Sequence, residues 1–389
     1  MKSMDRRRFI RNSVAGASLA LASSQALTAV TRMSGGPEKG RGNVIRRPLG
    51  KTGIELPVVS MGVMRADNPA LVRAALEAGM KHLDTAHGYQ EGNNETMLGE
   101  VLRDYPRDGF VISTKIPPAP KETFLATLDQ SLKRLRMDYV DILYVHGLTD
   151  PADVLAGPTL DALQSARRAG KTRHIGVSTH RNEAEVIRAA VRSSVYDVIL
   201  TSVNFKQDHY PDVRNAIAEA ASAGIGIVAM KTMAGAFHDR ERTKPVNCKA
   251  ALKWVLQDTN ITTAIPGITT FDQLSENAAV NAGITMTEEE KASLLPGKSE
   301  GGLYCPGCAG CSDRCSRRLP VPDIMRAYMY TYGYRDARKG RDLLASLNIP
   351  ADPCSLCQEC TVGCPRRFDV RGRIGDIARL ASVPEEFLV

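Results

Sequence analysis

The chain has 389 residues, 43% hydrophobic and 24% charged, with a formal net charge of +8. That is too long for one ordinary core and suits a large domain plus a small one. The basic surplus sits largely at the amino terminus, where removing residues 1–29 lowers the charge to +4, so it is no argument for nucleic acid binding.

Asp5, Arg6, Arg7, Arg8, Phe9, Ile10 and Arg11 open the chain and precede a small, apolar stretch over residues 13–30. Paired arginines ahead of an Ala- and Ser-rich segment read as a twin-arginine signal over residues 1–29, an address for the twin-arginine export machinery. The stretch falls short of the roughly 20 residues of a membrane span. A periplasmic protein with no membrane span in its mature form is the expectation, with residues 30–43 as a Gly- and charge-rich linker.

Residues 44–58 read as a hairpin turning through Gly50 and Gly53. Strand-like apolar runs follow at 59–62, 82–84, 111–115, 142–145, 174–178, 198–202, 226–230 and 263–265. Amphipathic stretches separate them, among them 69–78, 122–135, 160–169 and 211–223, and another spans 271–282. Eight strand–helix units predict an α/β protein with a (β/α)8 TIM barrel over 44–298. A doubly wound sheet is the runner-up, weakened because no GxGxxG turn follows the first strand.

Residues 299–389 hold eight of the nine cysteines in two runs of one spacing. Cys305, Cys308, Cys311 and Cys315 form the first, and Cys354, Cys357, Cys360 and Cys364, followed by Pro365, the second. C-x2-C-x2-C-x3-C is the spacing of bacterial [4Fe–4S] sites, and it predicts two [4Fe–4S] clusters; zinc or disulfides are the alternatives. Two such clusters would add about −4 and bring the mature protein near neutrality. Cys248, apart from both runs, reads as a packing residue. Tyr328, Tyr330, Tyr332 and Tyr334 read as packing between tail and barrel.

Barrel chemistry sits at the carboxyl ends of the strands. The second barrel strand ends in Asp84, with Tyr89 five residues on; the third ends in Lys115 and the fourth in His146. A lysine beside an aspartate on the neighbouring strand makes a partly buried ion pair. Next to Tyr89 that pair is expected to favour phenolate and lower the phenol pKa. His146 is suited to hydrogen-bond a bound carbonyl oxygen.

This constellation, in the motifs LDTAHGY, STK and YVHG, resembles the aldo-keto reductase family. The resemblance runs on through Gly176-Val177-Ser178 to Ile265-Pro266-Gly267 and Glu276-Asn277. It implies hydride transfer between a nicotinamide, NAD or NADP, and a small carbonyl or hydroxy substrate such as a sugar. Tyr89 would be the acid/base, Asp84 and Lys115 would tune it, and His146 would polarise the carbonyl. Ser178, Asn204 and Met230 would meet the nicotinamide, Lys231 to Gly235 the pyrophosphate, and Glu276 and Asn277 the adenine end. Gly267 and Gln273 stand where NADP-preferring members carry cations, Met230 replaces a stacking aromatic, and Thr179 replaces an asparagine.

The tail resembles the ferredoxin-like two-cluster domain attached to one branch of the family, in which the fourth cysteine of each run crosses to the other cluster. It implies single-electron exchange, with a redox partner protein as a candidate recipient. An electron-transfer protein whose barrel is a docking scaffold is the second functional reading. The tail is expected near the carboxyl face of the barrel.

Overall fold

Eight parallel strands carry the architecture in the computed structural model, which describes residues 44–295 except 156, 240 and 241, and residues 304–388 except 306, 312, 313 and 365–367. A hairpin of β1 (Arg46–Pro48) and β2 (Glu55–Pro57) comes first and pairs antiparallel. The parallel strands are β3 (Met61–Gly62), β4 (His82–Asp84), β5 (Val111–Ile116), β6 (Val140–Val145), β7 (Thr172–Thr179), β8 (Val198–Ser202), β9 (Gly226–Met230) and β10 (Thr263–Ala264), paired in chain order. Ser60 N donates to Ala264 O at 2.9 Å and Gly62 N to Pro266 O at 3.0 Å, which brings the last strand back to the first. The central strands are buried on both faces, which is why they read as unbroken apolar runs rather than as alternation.

Among the described residues ten α-helices pack around and between the strands: α1 (Pro69–Glu77), α2 (Asn93–Leu102), α3 (Lys121–Leu135), α4 (Pro151–Leu155), α5 (Gly157–Arg168), α6 (Glu183–Ser193), α7 (Tyr210–Ser222), α8 (Cys248–Leu256), α9 (Phe271–Val280) and α10 (Glu288–Leu294). A large apolar layer lies between strands and helices, where Leu83, Ile112, Val177 and Ile227 meet Leu71, Phe124, Ile187 and Ile217. The barrel interior is filled by Ile142, Tyr144, Val198, Leu200 and Val228, with Leu49 and Leu56 of the hairpin packed against them as a plug. Glycine is required at this contact: a Cβ on Gly226 would fall 2.6 Å from the Leu49 side chain, and one on Gly50, at φ +54°, would fall 2.4 Å from Gly224 O.

Asn281, just past α9, acts as a clasp at the seam. Its side chain accepts from Val59 N at 2.8 Å and donates to Val59 O at 3.0 Å, and its backbone carbonyl accepts from Ile45 N at 2.7 Å. Asn281→Ala strands both Val59 groups in a dry site, so a loss of about 3 kcal/mol is expected, at roughly 1–3 kcal/mol per unsatisfied buried group. Urea denaturation of the full chain measures it, and a midpoint shift worth less than about 0.5 kcal/mol, the range of ordinary surface changes, would show that the clasp does not close the barrel.

The tail departs from expectation. Among its described residues there is no strand. It is built from α11 (Val321–Tyr328), a π turn over Met329–Gly333, α12 (Ala337–Ser346) and α13 (Val370–Ala378). Ile324, Met325, Leu344, Ile374 and Ile377 interlock as a separate apolar core. Asp336 and Asp369 cap α12 and α13 by accepting from Lys339 N and Gly372 N, each at 2.9 Å. The expected ferredoxin-like domain is therefore corrected to a helical one. Within the segment the Tyr328 and Tyr332 ring centroids lie 4.5 Å apart and those of Tyr330 and Tyr334 5.8 Å apart.

This helical segment lies on the carboxyl face. Its contacts are all with loops that follow barrel strands: Lys339 with Met64 after β3, Arg338 with Glu91 after β4, Asp323 with Arg181 after β7, and Tyr304 with Gly235 after β9.

No helix among the described residues is long and apolar enough to cross a membrane. The twin-arginine signal over 1–29 and the linker over 30–43 lie outside the described residues. Export to the periplasm and a redox partner protein rested on that signal and on the cysteine runs; no finding supports either.

Candidate active site

The strand register brings the first group together. Asp84 pairs with Ser113 across β4 and β5, and Lys115 lies two residues along β5 on the same face as Ser113. Lys115 Nζ donates to Asp84 Oδ1 and, at 2.6 Å, to Thr85 O. Ser113 Oγ donates to the other carboxylate oxygen, Oδ2, at 2.6 Å. Since that hydroxyl proton is committed to Asp84, the 3.1 Å contact between Ser113 and His82 Nε2 requires the imidazole to donate, which makes His82 the Nε2–H tautomer. Burial pushes His82 down to about 4, so it is neutral at pH 7. Lys115 and Asp84 are each 2% exposed. Desolvation lowers the Lys115 pKa, and the Asp84 charge and hydrogen bond oppose that shift.

Tyr89 opens a tight turn over Tyr89–Gly92 in which Gln90, Glu91 and Gly92 all take positive φ. Such a run is strained for non-glycine residues and needs external fastening. Gln90 Nε2 supplies it by donating to Met64 O and Ala66 O at 3.2 and 3.3 Å. Asn94 donates to Val63 O at 2.7 Å and accepts from Thr85 Oγ1 at 2.6 Å. The turn sets the Tyr89 ring edge-on to His146, with centroids 6.1 Å apart, and 5.0 Å from Lys115 Nζ. Asp84, Tyr89, Lys115 and His146 are thus brought to one mouth.

The expected sense of the Tyr89 shift is corrected. Desolvation first, then the Asp84 charge and Tyr330, raise its pKa well above the usual phenol value. The nearby ammonium is already compensated by Asp84, so it does not offset burial. His146 moves the other way, well below 6.5, through desolvation and then the charges of Lys115, Lys339, Arg326 and Lys231. At neutral pH the mouth therefore holds a protonated phenol and an uncharged imidazole.

Residues not singled out in the sequence complete this mouth. Lys339 of α12 stands 5.0 Å above the Tyr89 ring and 5.1 Å from the Tyr330 ring. Arg326 of α11 is paired with Asp323 at 3.0 Å and raises the local potential at His180 and His146. Ser113 carried a signal, because it alternates with Lys115 along one strand face. Lys339 carried none, since a lysine in a charged helix looks like any solvated one.

The residues expected around a nucleotide follow β7 to β10. Ser178, 1% exposed, accepts from Gly147 N at 2.8 Å. Asn204 accepts from Lys206 N at 3.1 Å and is held by Gln207, and Met230 is half-buried at the end of β9. Lys231 has φ +58°, and its pKa falls to about 7 through burial and then Arg326. Gly235 has φ +90°, and a Cβ there would fall 2.9 Å from Tyr304. Glu276 is exposed; Asn277 is buried, and its Oδ1 has no partner among the described residues. Gly267 faces open space, whereas Gln273 Oε1 accepts from Thr269 N at 2.8 Å.

The cysteines do not form the expected centres. Cys305 has Cys308, Cys311 and Cys364 as electrostatic neighbours, and Cys354 has Cys357, Cys360 and Cys315. Yet no three His, Cys, Asp or Glu side chains among the described residues come together to hold a metal ion. All eight are free thiols, and burial pushes Cys305 up to about 12. The expectation of two [4Fe–4S] clusters is corrected on these grounds. Cys248 is a half-buried free thiol, pushed up to about 11 by burial.

Comparison with known proteins agrees with the barrel. The aldo/keto reductase family profile matches residues 59–250. The L-glyceraldehyde 3-phosphate reductase of Escherichia coli K12 is 24% identical over 67% of this chain and 94% of its own length. A methylglyoxal reductase of Salmonella typhi is 30% identical over 46% of this chain and 67% of its own length. Among solved structures, an aldo-keto reductase from Bacillus halodurans in its holo form shares the fold, with a TM-score of 0.55 and 22% identity over 65% of this chain and 96% of that one. The chain belongs to the aldo/keto reductase family, and it is an oxidoreductase that interconverts carbonyl and alcohol by hydride transfer.

Proposed function

We propose that the chain reduces a small carbonyl compound, with Tyr89 as the proton donor and NAD or NADP as the hydride carrier. The observation that carries this reading is the Tyr89 phenol, kept protonated by burial, beside an uncharged His146 and over the buried Lys115–Asp84 pair. A general acid must hold its proton until the transition state, and this phenol does. His146 donates a hydrogen bond that orients the carbonyl oxygen. Tyr89 then delivers its proton to that oxygen as negative charge builds there, and Lys115, 5.0 Å from the ring, stabilises the phenolate left behind. Asp84, held by Ser113 and Lys115, fixes the ammonium in place. Run backwards, the phenolate takes the proton of an alcohol.

The residues after β7 to β10 fit a nicotinamide nucleotide, which when bound supplies or accepts the hydride. Ser178, Asn204 and Met230 would hold the nicotinamide end, and Lys231 and the Gly235 turn the pyrophosphate. Glu276 and Asn277, the latter with its unpartnered buried Oδ1, would hold the adenine end. Gly267 and the self-engaged Gln273 offer no cation to a 2′-phosphate, which favours NAD. Lys231 offers one from the neighbouring strand, so NADP stays a candidate. The relatives named above as reductases of glyceraldehyde 3-phosphate and methylglyoxal support a small carbonyl substrate, sugars and sugar derivatives included.

Incubation with a panel of small aldehydes and 4-deuterated NADH or NADPH tests the reading. Deuterium is expected on the carbinol carbon of the product, detected by mass spectrometry. Reduced product without label, or no turnover with either nucleotide, would count against it.

A further inference from the structure

Lys339 is an ammonium set into the mouth with no ion-pair partner among the described residues. Its Nζ lies 5.0 Å from the Tyr89 ring and 5.1 Å from the Tyr330 ring. Its polar contact is a weak one, to Met64 Sδ at 3.8 Å. Asp336, three residues earlier, accepts from the Lys339 backbone N–H as a helix cap rather than from the ammonium. No carboxylate lies within ion-pair distance of Lys339 among the described residues. By contrast Lys115 has Asp84, Arg326 has Asp323 and Arg181 has Asp323. Desolvation lowers the Lys339 pKa, the Asp336 charge opposes that and the Lys115 charge adds to it, so the ammonium is held without a close counter-charge.

Lys231 also faces this space, and the Lys339 charge acts on it across the mouth. Lys231 stands after β9, on the side where the nucleotide pyrophosphate would neutralise it. Lys339 enters beside Met64 of the β3 loop and over the Tyr89 ring. Set over the ring of the residue read as proton donor, Lys339 is placed to meet a charged group of the substrate.

We propose that Lys339, delivered by the carboxy-terminal helical segment, binds an anionic group carried by the substrate, a carboxylate or a phosphate. This rests on the reading of Tyr89 as the reducing site. The substrates are then short carbonyl compounds with a terminal anion a few bonds from the reacting carbon. The carboxy-terminal segment acquires a function in substrate choice, because it supplies the ammonium set over the Tyr89 ring.

The test uses the full chain with its preferred nicotinamide nucleotide and two matched pairs: glyceraldehyde with glyceraldehyde 3-phosphate, and butanal with succinate semialdehyde. The charged member of at least one pair is expected to have a kcat/KM about tenfold or more above its neutral mate, as a charge-assisted contact provides. Which pair responds separates phosphate from carboxylate. Lys339→Gln should bring that ratio to within about threefold of unity, and Lys339→Arg should keep most of it. A ratio near unity in both pairs, or a preference that survives Lys339→Gln, overturns the proposal. Should Lys339→Gln fail to fold, raising salt from ~50 to ~500 mM on the unaltered chain replaces it. KM for the charged substrate must then rise more than KM for its neutral mate, and an equal response overturns the proposal. Turnover without charge preference sinks this inference alone, whereas no turnover of all four carbonyl compounds sinks the reductase reading and this inference with it.

Discussion

Tyr89→Phe is expected to lower the rate of the chemical step by about two to four orders of magnitude, the usual worth of a positioned general acid. The substitution deletes one hydroxyl and keeps the ring, so the contacts to Lys115, Lys339 and His146 survive. Nucleotide candidates lie after β7 to β10 and not on the Tyr89 turn, and nucleotide affinity should change by less than about threefold. The loss should therefore appear in kcat and in single-turnover rates rather than in binding. His146 lacks the proton affinity to substitute as a strong acid, because desolvation and four neighbouring cations hold it neutral. Stopped-flow measurement of nicotinamide absorbance in a single turnover reads the step directly. An undiminished single-turnover rate in Tyr89→Phe would remove Tyr89 from the chemistry and leave the site unexplained.

Lys115→Met is expected to destabilise the fold by about 3–5 kcal/mol, the usual cost of stripping one partner from a buried ion pair. Asp84 would keep the Ser113 hydroxyl but lose the ammonium bonded to Oδ1, and at 2% exposure water does not take its place. Thr85 O would also lose the donor now at 2.6 Å. Adding Asp84→Asn removes the stranded charge, so the double substitution should recover part of the loss, although an amide would still meet Ser113 differently. Urea denaturation of the four chains gives the coupling between the two positions. A loss below about 1 kcal/mol in Lys115→Met, or a double variant no more stable than the single one, would show that Asp84 is not held as a buried charge.

The barrel was legible because its strands carry two local signals at once. Short apolar runs such as 198–202 and 226–230 are bounded by turns and alternate with amphipathic stretches, and both became strands with the expected limits. The hairpin at its amino end was legible from Gly50 and Gly53, whose positive φ the turn requires. Asp84, Lys115 and His146 could be placed at strand ends by counting along consecutive strands. Parallel pairing in chain order makes neighbours in sequence order into neighbours in space.

Three features escaped. The sense of the Tyr89 shift depends on desolvation, and what buries Tyr89 includes Tyr330 and Lys339 from more than 200 residues downstream. Local charge pattern pointed to the opposite sign. The cysteine spacing describes how thiols recur along the chain but not where their side chains settle, and the tail folds as helices around Ile324, Leu344 and Ile374. Lys339 had no periodic or motif signal at all.

The sequence by itself determined the parallel barrel, its family and the strand-end positions of Asp84, Tyr89, Lys115 and His146. Those follow from period, turn chemistry and strand order, which are local or nearest-neighbour properties. Tertiary structure alone decided what covers the mouth, which protonation states it keeps, and which cation is left without a partner. These depend on solvent exclusion and on charges brought together through space, and neither is encoded at fixed spacing along a chain.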